Sequence, residues 1–88
     1  MRIDKFLKVS RLIKRRTVAK DICEGGKIFL NRKIAKPSAE VKVGDIITLE
    51  IGQRLLEVRI INIAATVRAA EASTLYEVLR DVRKAEPE

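Results

Sequence analysis

The side chains best placed to do chemistry in this chain are cations. Between Arg2 and Arg16, seven of fifteen residues are basic (Arg2, Lys5, Lys8, Arg11, Lys14, Arg15, Arg16), and Asp4 is the sole acid. Guanidinium and ammonium groups at that density bind phosphate or other anions. Reagents for catalysis are scarce. The sequence contains no histidine, so the commonest general base and metal ligand is missing, and a single cysteine cannot build a structural zinc site. Gly25-Gly26 lacks the Gly-Lys-Ser/Thr continuation of a phosphate-binding loop. Asp4 and Asp45 could in principle act as a carboxylate pair. The plainer reading puts Asp4 as a cap or ion-pair partner within a basic field and Asp45 after a turn glycine. Cys23 falls on an apolar helical stripe, as a buried thiol does. The pattern is that of a binding protein, with no catalytic group, no metal and no cofactor expected.

Charge is also segregated. Residues 1–36 hold twelve Lys/Arg and three Asp/Glu, a net of +9, whereas residues 37–88 hold seven and nine, a net of −2. Such a split favours a polyanionic partner, either nucleic acid or an anionic membrane surface, and composition alone does not choose between them. Lysines along a helix ordinarily form a solvated face, which suffices for Lys5, Lys20 and Lys27 taken singly. It accounts poorly for Arg11, Lys14, Arg15 and Arg16, because crowded like charges cost stability unless an anion neutralises them. The aromatic residues Phe6, Phe29 and Tyr76 all lie on apolar stripes or in a strand, so base stacking, the usual tool of single-strand readers, is not provided for. Arginine, lysine and a rigid helix face suit the backbone and shape of structured RNA.

The elements that must carry these cations follow from periodicity. Ile3, Phe6, Leu7 and Ser10 make one stripe of a helix, with Lys5, Lys8 and Arg11 opposite and Val9 on the charged side as an exception. Lys14-Arg15-Arg16 predicts a turn. Val18, Ala19, Ile22 and Cys23 make a second stripe, ended by Gly25-Gly26. The two short helices should pack through their apolar faces. The period then changes: Lys27–Leu30 and Lys33–Ala35 flank Asn31-Arg32 as a hairpin, and Pro37-Ser38 breaks the strand. Val43-Gly44-Asp45 turns into a strand at Ile46–Ile51, and Gly52-Gln53 turns into another at Leu56–Ile60. Ala64–Ala70 reads as a linker. Ala72, Leu75, Tyr76 and Leu79 predict a C-terminal helix from Glu71 to about Lys84, with Ala85–Glu88 frayed.

The expected fold is therefore α+β, with two or three short helices on a small, mostly antiparallel sheet. Residues 1–63 form the domain and residues 64–88 a linker with a C-terminal helix. At 88 residues, 47% apolar and 35% charged, the chain suits one small folded domain. No run approaches transmembrane length, no signal peptide is recognised, and the lone cysteine fits a cytoplasmic protein.

The order Arg2-Ile3-Asp4-Lys5-Phe6-Leu7, Arg11-Leu12, Arg16, Ala19, Gly26-Lys27-Ile28, Asn31, Lys36-Pro37-Ser38, Val41, Gly44-Asp45 resembles the ribosomal protein S4-like RNA-binding domain over residues 2 to about 51. The resemblance implies an αL fold that binds structured ribosomal or transfer RNA through the helix pair. The run Arg11–Lys20 is similar to small stand-alone bacterial members of ribosome-associated quality control, with an S4-like heat-shock protein as sibling. For those, the implied partners are the 23S rRNA of an obstructed large subunit, tRNA or peptidyl-tRNA, and a separate tail-adding factor. No membrane is implied, and a monomer is expected when free. Candidate RNA-binding residues are Arg2, Asp4, Lys5, Lys8, Arg11, Lys14, Arg15, Arg16, Lys20, Arg32 and Lys36, with Arg2 and Arg16 foremost. Many members have Ser or Thr where this chain has Arg15, and Gly where it has Arg32. Two other roles come with the resemblance: recycling of dissociated large subunits, and RNA targeting for a modifying enzyme such as a pseudouridine synthase. A third reading, binding of DNA or a membrane surface by charge alone, comes from composition.

Overall fold

The computed structural model describes residues 1–83. Two helices, α1 (Ile3–Val9) and α2 (Arg16–Glu24), precede strands β1 (Ile28–Leu30), β2 (Lys33–Ile34), β3 (Ile46–Ile51) and β4 (Arg54–Ile60). A 3-10 helix over Ala69–Leu75 leads into β5 (Tyr76–Arg83). The five strands form one antiparallel sheet in the order β2-β1-β3-β4-β5.

Strand alternation explains how the sheet faces the helices. Ile47 and Leu49 on β3, and Leu56, Val58 and Ile60 on β4, are buried, while their neighbours along each strand are more exposed. They share a core with Ile3, Phe6 and Leu7 of α1, Ala19 and Cys23 of α2, and Ile28 of β1. The chain start is fastened to the 39–41 segment: the Ile3 N–H donates to the Ala39 carbonyl at 2.7 Å, and the Val41 N–H to the Met1 carbonyl at 2.9 Å. This fixes the N-terminal end of α1 against the segment that joins β2 to β3.

The turns fall where the sequence places them. Asn31 and Arg32 join β1 to β2 with φ of 50° and 70°, as a two-residue turn that follows the sheet twist requires. Gly26, at φ 74°, closes α2: its N–H donates to the Cys23 carbonyl and the Lys27 N–H to the Ile22 carbonyl.

Three expectations are corrected. Val9 is buried at 8% exposure, so the side assigned to charge on the helical wheel contributes to the core there. Val18, expected on the buried stripe of α2, is 41% exposed; nine helical residues need to bury little beyond Ala19, Ile22 and Cys23. The predicted C-terminal helix is a short 3-10 turn followed by β5. Ala72 and Leu75 are buried in the turn, as the helical stripe anticipated, but from Tyr76 the chain extends along β4. Cross-strand charges favour that outcome. Arg54 grips Asp81 with two hydrogen bonds of 2.9 and 2.8 Å, and Arg59 meets Glu77 at 2.8 Å. The hydrogen bonds from Arg54 hold the Asp81 carboxyl below its ordinary range. A bulge opposite Glu57 and Val58 accommodates one additional residue, Leu79. Within the segment expected as a linker, Ala64 and Val67 pack against the core. The frayed end expected at Ala85–Glu88 lies outside the described residues.

Candidate nucleic-acid interface

Asp4 is the centre from which the cationic surface is built. Its side chain is 3% exposed and lies in the first turn of α1, where a carboxylate suits the positive end of the helix. Arg2, the residue before α1, directs Nη2 to Asp4 Oδ2 at 3.1 Å. Arg16, the first residue of α2, brings Nη2 to Oδ1 at 3.5 Å, a charge contact more than a short hydrogen bond. One buried carboxylate thus ties together the N-terminal ends of both helices.

Only part of each guanidinium is used. The side chains of Arg2 and Arg16 remain 46% and 47% exposed, and each retains further N–H donors in a fixed plane. Asp4 therefore holds two arginines in register without masking them. Each guanidinium can still donate to phosphate oxygens through the N–H groups that Asp4 leaves free.

The connection between the helices adds more cations. Arg11 occupies the position just past the α1 cap at φ 62°, where glycine is usual, and its N–H donates to the Lys8 carbonyl at 3.1 Å. The turn thus runs from Ser10 and precedes Arg16, earlier than the Lys14-Arg15-Arg16 stretch suggested. Arg15 stands at the N-cap of α2, with no side-chain cap. Lys8, Arg11, Lys14 and Arg15 are exposed and form no ion pair among the described residues, whereas Lys20 lies 4.0 Å from Glu24. Lys5 is partly buried beside the core.

An open groove of about 500 Å³ runs between α2 and the segment after β2, lined by Arg2, Lys20, Cys23, Ile34, Lys36 and Pro37. It links the α1–α2 cations to Lys36. Cys23 lies at its floor but is only 3% exposed, and burial pushes its thiol up to about 11, with Asp4 and Glu24 adding to the effect. A thiol held protonated in this way is a packing group. Asp45 serves a different network from Asp4: Asn31 Nδ2 donates to Oδ1 at 3.2 Å and the Lys42 N–H to Oδ2 at 3.0 Å. Among the described residues there is no cluster of three potential metal ligands and no helix long and apolar enough to cross a membrane.

Two short helices with their basic ends joined, packed on an antiparallel sheet, define an α+β module built around a cationic helix pair. Residues 1–47 match the family model for the S4 domain, and the chain belongs to that family. It is 57% identical over 81 residues, 92% of either chain, to a protein of Halalkalibacterium halodurans named RQC P-site tRNA stabilizing factor. It is 45% identical to the protein of that name from Bacillus subtilis, covering 98% of this chain and all of the relative. Among solved structures, the trimeric Vibrio cholerae Heat Shock Protein 15 superposes with a TM-score of 0.83 at 39% identity, over 89% of this chain and 80% of that one.

Proposed function

We propose that this chain is an RNA-binding factor of ribosome-associated quality control and has no enzymatic activity of its own. It binds the obstructed large ribosomal subunit through 23S rRNA and peptidyl-tRNA. There it steadies the P-site tRNA while a separate tail-adding factor extends the stalled nascent chain. The observation that carries this reading is the end-to-end similarity to proteins named RQC P-site tRNA stabilizing factor. The exposed arginine pair on Asp4 supports it, because two half-free guanidiniums on a rigid base suit an RNA backbone. The proposed contact residues are Arg2, Lys5, Lys8, Arg11, Lys14, Arg15, Arg16, Lys20, Arg32 and Lys36, with Asp4 positioning Arg2 and Arg16. The contact residues all lie within residues 1–63, while residues 64–83 complete the core and the sheet that support them; the protein works in the cytoplasm, and it is a monomer when free.

The test is co-sedimentation with large subunits at moderate salt. Arg16→Ala should leave the subunit peak, and its recovery there at the wild-type level would sink the assignment. The likeness to Heat Shock Protein 15 supports a second reading, recycling of dissociated subunits. Crosslinking the tagged protein in cells and mapping the attached RNA separates the two. Tailing requires tRNA crosslinks beside those to 23S rRNA.

A further inference from the structure

We propose that Arg32 and Lys33, at the tip of the β1–β2 hairpin, form with Lys42 a second binding surface for the RNA sugar-phosphate backbone. It differs from the Arg2–Asp4–Arg16 cluster in its elements and in the carboxylate that organises it. The inference rests on the reading of the chain as an RNA binder and extends its contact area to the end of the sheet.

The first observation is conformational. Arg32 adopts φ 70° in a turn whose second position glycine fills without steric cost. Arg11 has the same character at φ 62°. In each case a side chain that disfavours the left-handed region occupies it at an exposed position. Neither arginine has an ion-pair partner among the described residues. What arginine supplies at these positions and glycine would not is a charge.

The second observation is the way the tip is held. The Asn31 N–H donates to the Ile46 carbonyl at 2.8 Å, and the Ile46 N–H returns to Asn31 Oδ1 at 2.9 Å. Asn31 Nδ2 and the Lys42 N–H then share the Asp45 carboxylate, one on each oxygen. Asp45 is buried and both its oxygens are engaged by neutral donors, so it organises the two turns without an ion pair to Arg32, Lys33 or Lys42. The hairpin tip and the Lys42–Asp45 turn form one rigid platform that carries three exposed cations with no ion-pair partner among the described residues. Phosphate is the ligand chemistry that fits, and an extended polyanion already engaged at α1–α2 supplies it at high local concentration.

The experiment measures binding of a fluorescent duplex RNA hairpin, and of large ribosomal subunits, to the full chain over a range of KCl. Three proteins are compared with wild type: Arg32→Gly, the triple variant Arg32→Gly/Lys33→Gln/Lys42→Gln, and Arg16→Ala. Removing one cation from a phosphate lowers the logarithmic salt slope by roughly one. The triple variant should lose about two to three from the slope and bind at least about tenfold more weakly at low salt. Arg32→Gly alone should lose about one from the slope while its thermal midpoint stays equal or rises, since glycine relieves the turn. That combination of equal or greater stability and weaker binding cannot come from misfolding. An unchanged slope and affinity for Arg32→Gly and the triple variant, with Arg16→Ala weakened, would overturn the hairpin surface and leave the helix-pair reading standing. Failure of wild type to bind either probe overturns both.

Discussion

Asp4 and Arg16 stand on different helices, twelve residues apart, and meet at 3.5 Å with the carboxylate buried and the guanidinium half exposed. The contact serves packing and recognition together: it fastens the start of α2 to α1 and aims a cation outward. Since Arg2 shares the same carboxylate, neither arginine is independent of Asp4.

A double-mutant cycle of Asp4→Asn and Arg16→Ala should therefore show coupling in both stability and large-subunit binding. Half-exposed arginines limit the stability coupling to about 1 kcal/mol. Asp4→Asn alone should weaken binding although it removes a negative charge, a sign that simple electrostatics would reverse. Urea denaturation and co-sedimentation read the two quantities. Tighter binding by Asp4→Asn would show that Asp4 does not position the pair.

Arg15→Ser should separate stability from charge. The N-cap of α2 has no side-chain acceptor, and a serine hydroxyl there can take the N–H of one of the next residues. A gain of about 1 kcal/mol in unfolding free energy is expected. Subunit affinity at low salt should fall a few-fold, because one unpaired cation is lost. A variant that binds as wild type does would remove Arg15 from the interface.

Cys23 predicts the alkaline behaviour of the fold. Its folded-state value of about 11 lies above the ordinary 9.0, so the folded protein holds a proton that the unfolded chain releases first. The corresponding stability is complete below about pH 9 and is lost as pH rises through about 11. Cys23→Ala should flatten the fall in stability across that window by one proton's worth of slope. Equal slopes for the two proteins would show that the thiol is not shielded. The intact fold should also resist thiol alkylation at neutral pH.

The parts of the fold legible in sequence were those set by nearest neighbours. Asn31-Arg32, Gly44 and Gly52 announce turns, and the alternation around Ile47 and Val58 announces strands, because both follow from local backbone preference. Arg2, Asp4 and Arg16 were legible as types and as motif positions. Their convergence on one carboxylate needed the helix packing. The ending of α1 was hidden because Arg11 takes a position normally marked by glycine. The last element was misread for a different reason: Ala72 and Leu75 satisfy a helical stripe whether or not the helix continues. The deciding partners, Arg54 for Asp81 and Arg59 for Glu77, are distant in the chain.

β5 is an edge of the sheet, so one side of its backbone is a template on which a foreign strand could crystallise. Glu77, Arg80, Asp81 and Arg83 punctuate it with both signs of charge between Val78, Leu79 and Val82, and the bulge at Leu79 bends it away from flatness. The opposite edge, β2, is two residues long. Charge on one edge, a bulge beside it and brevity on the other all work against a second copy adding itself to the sheet.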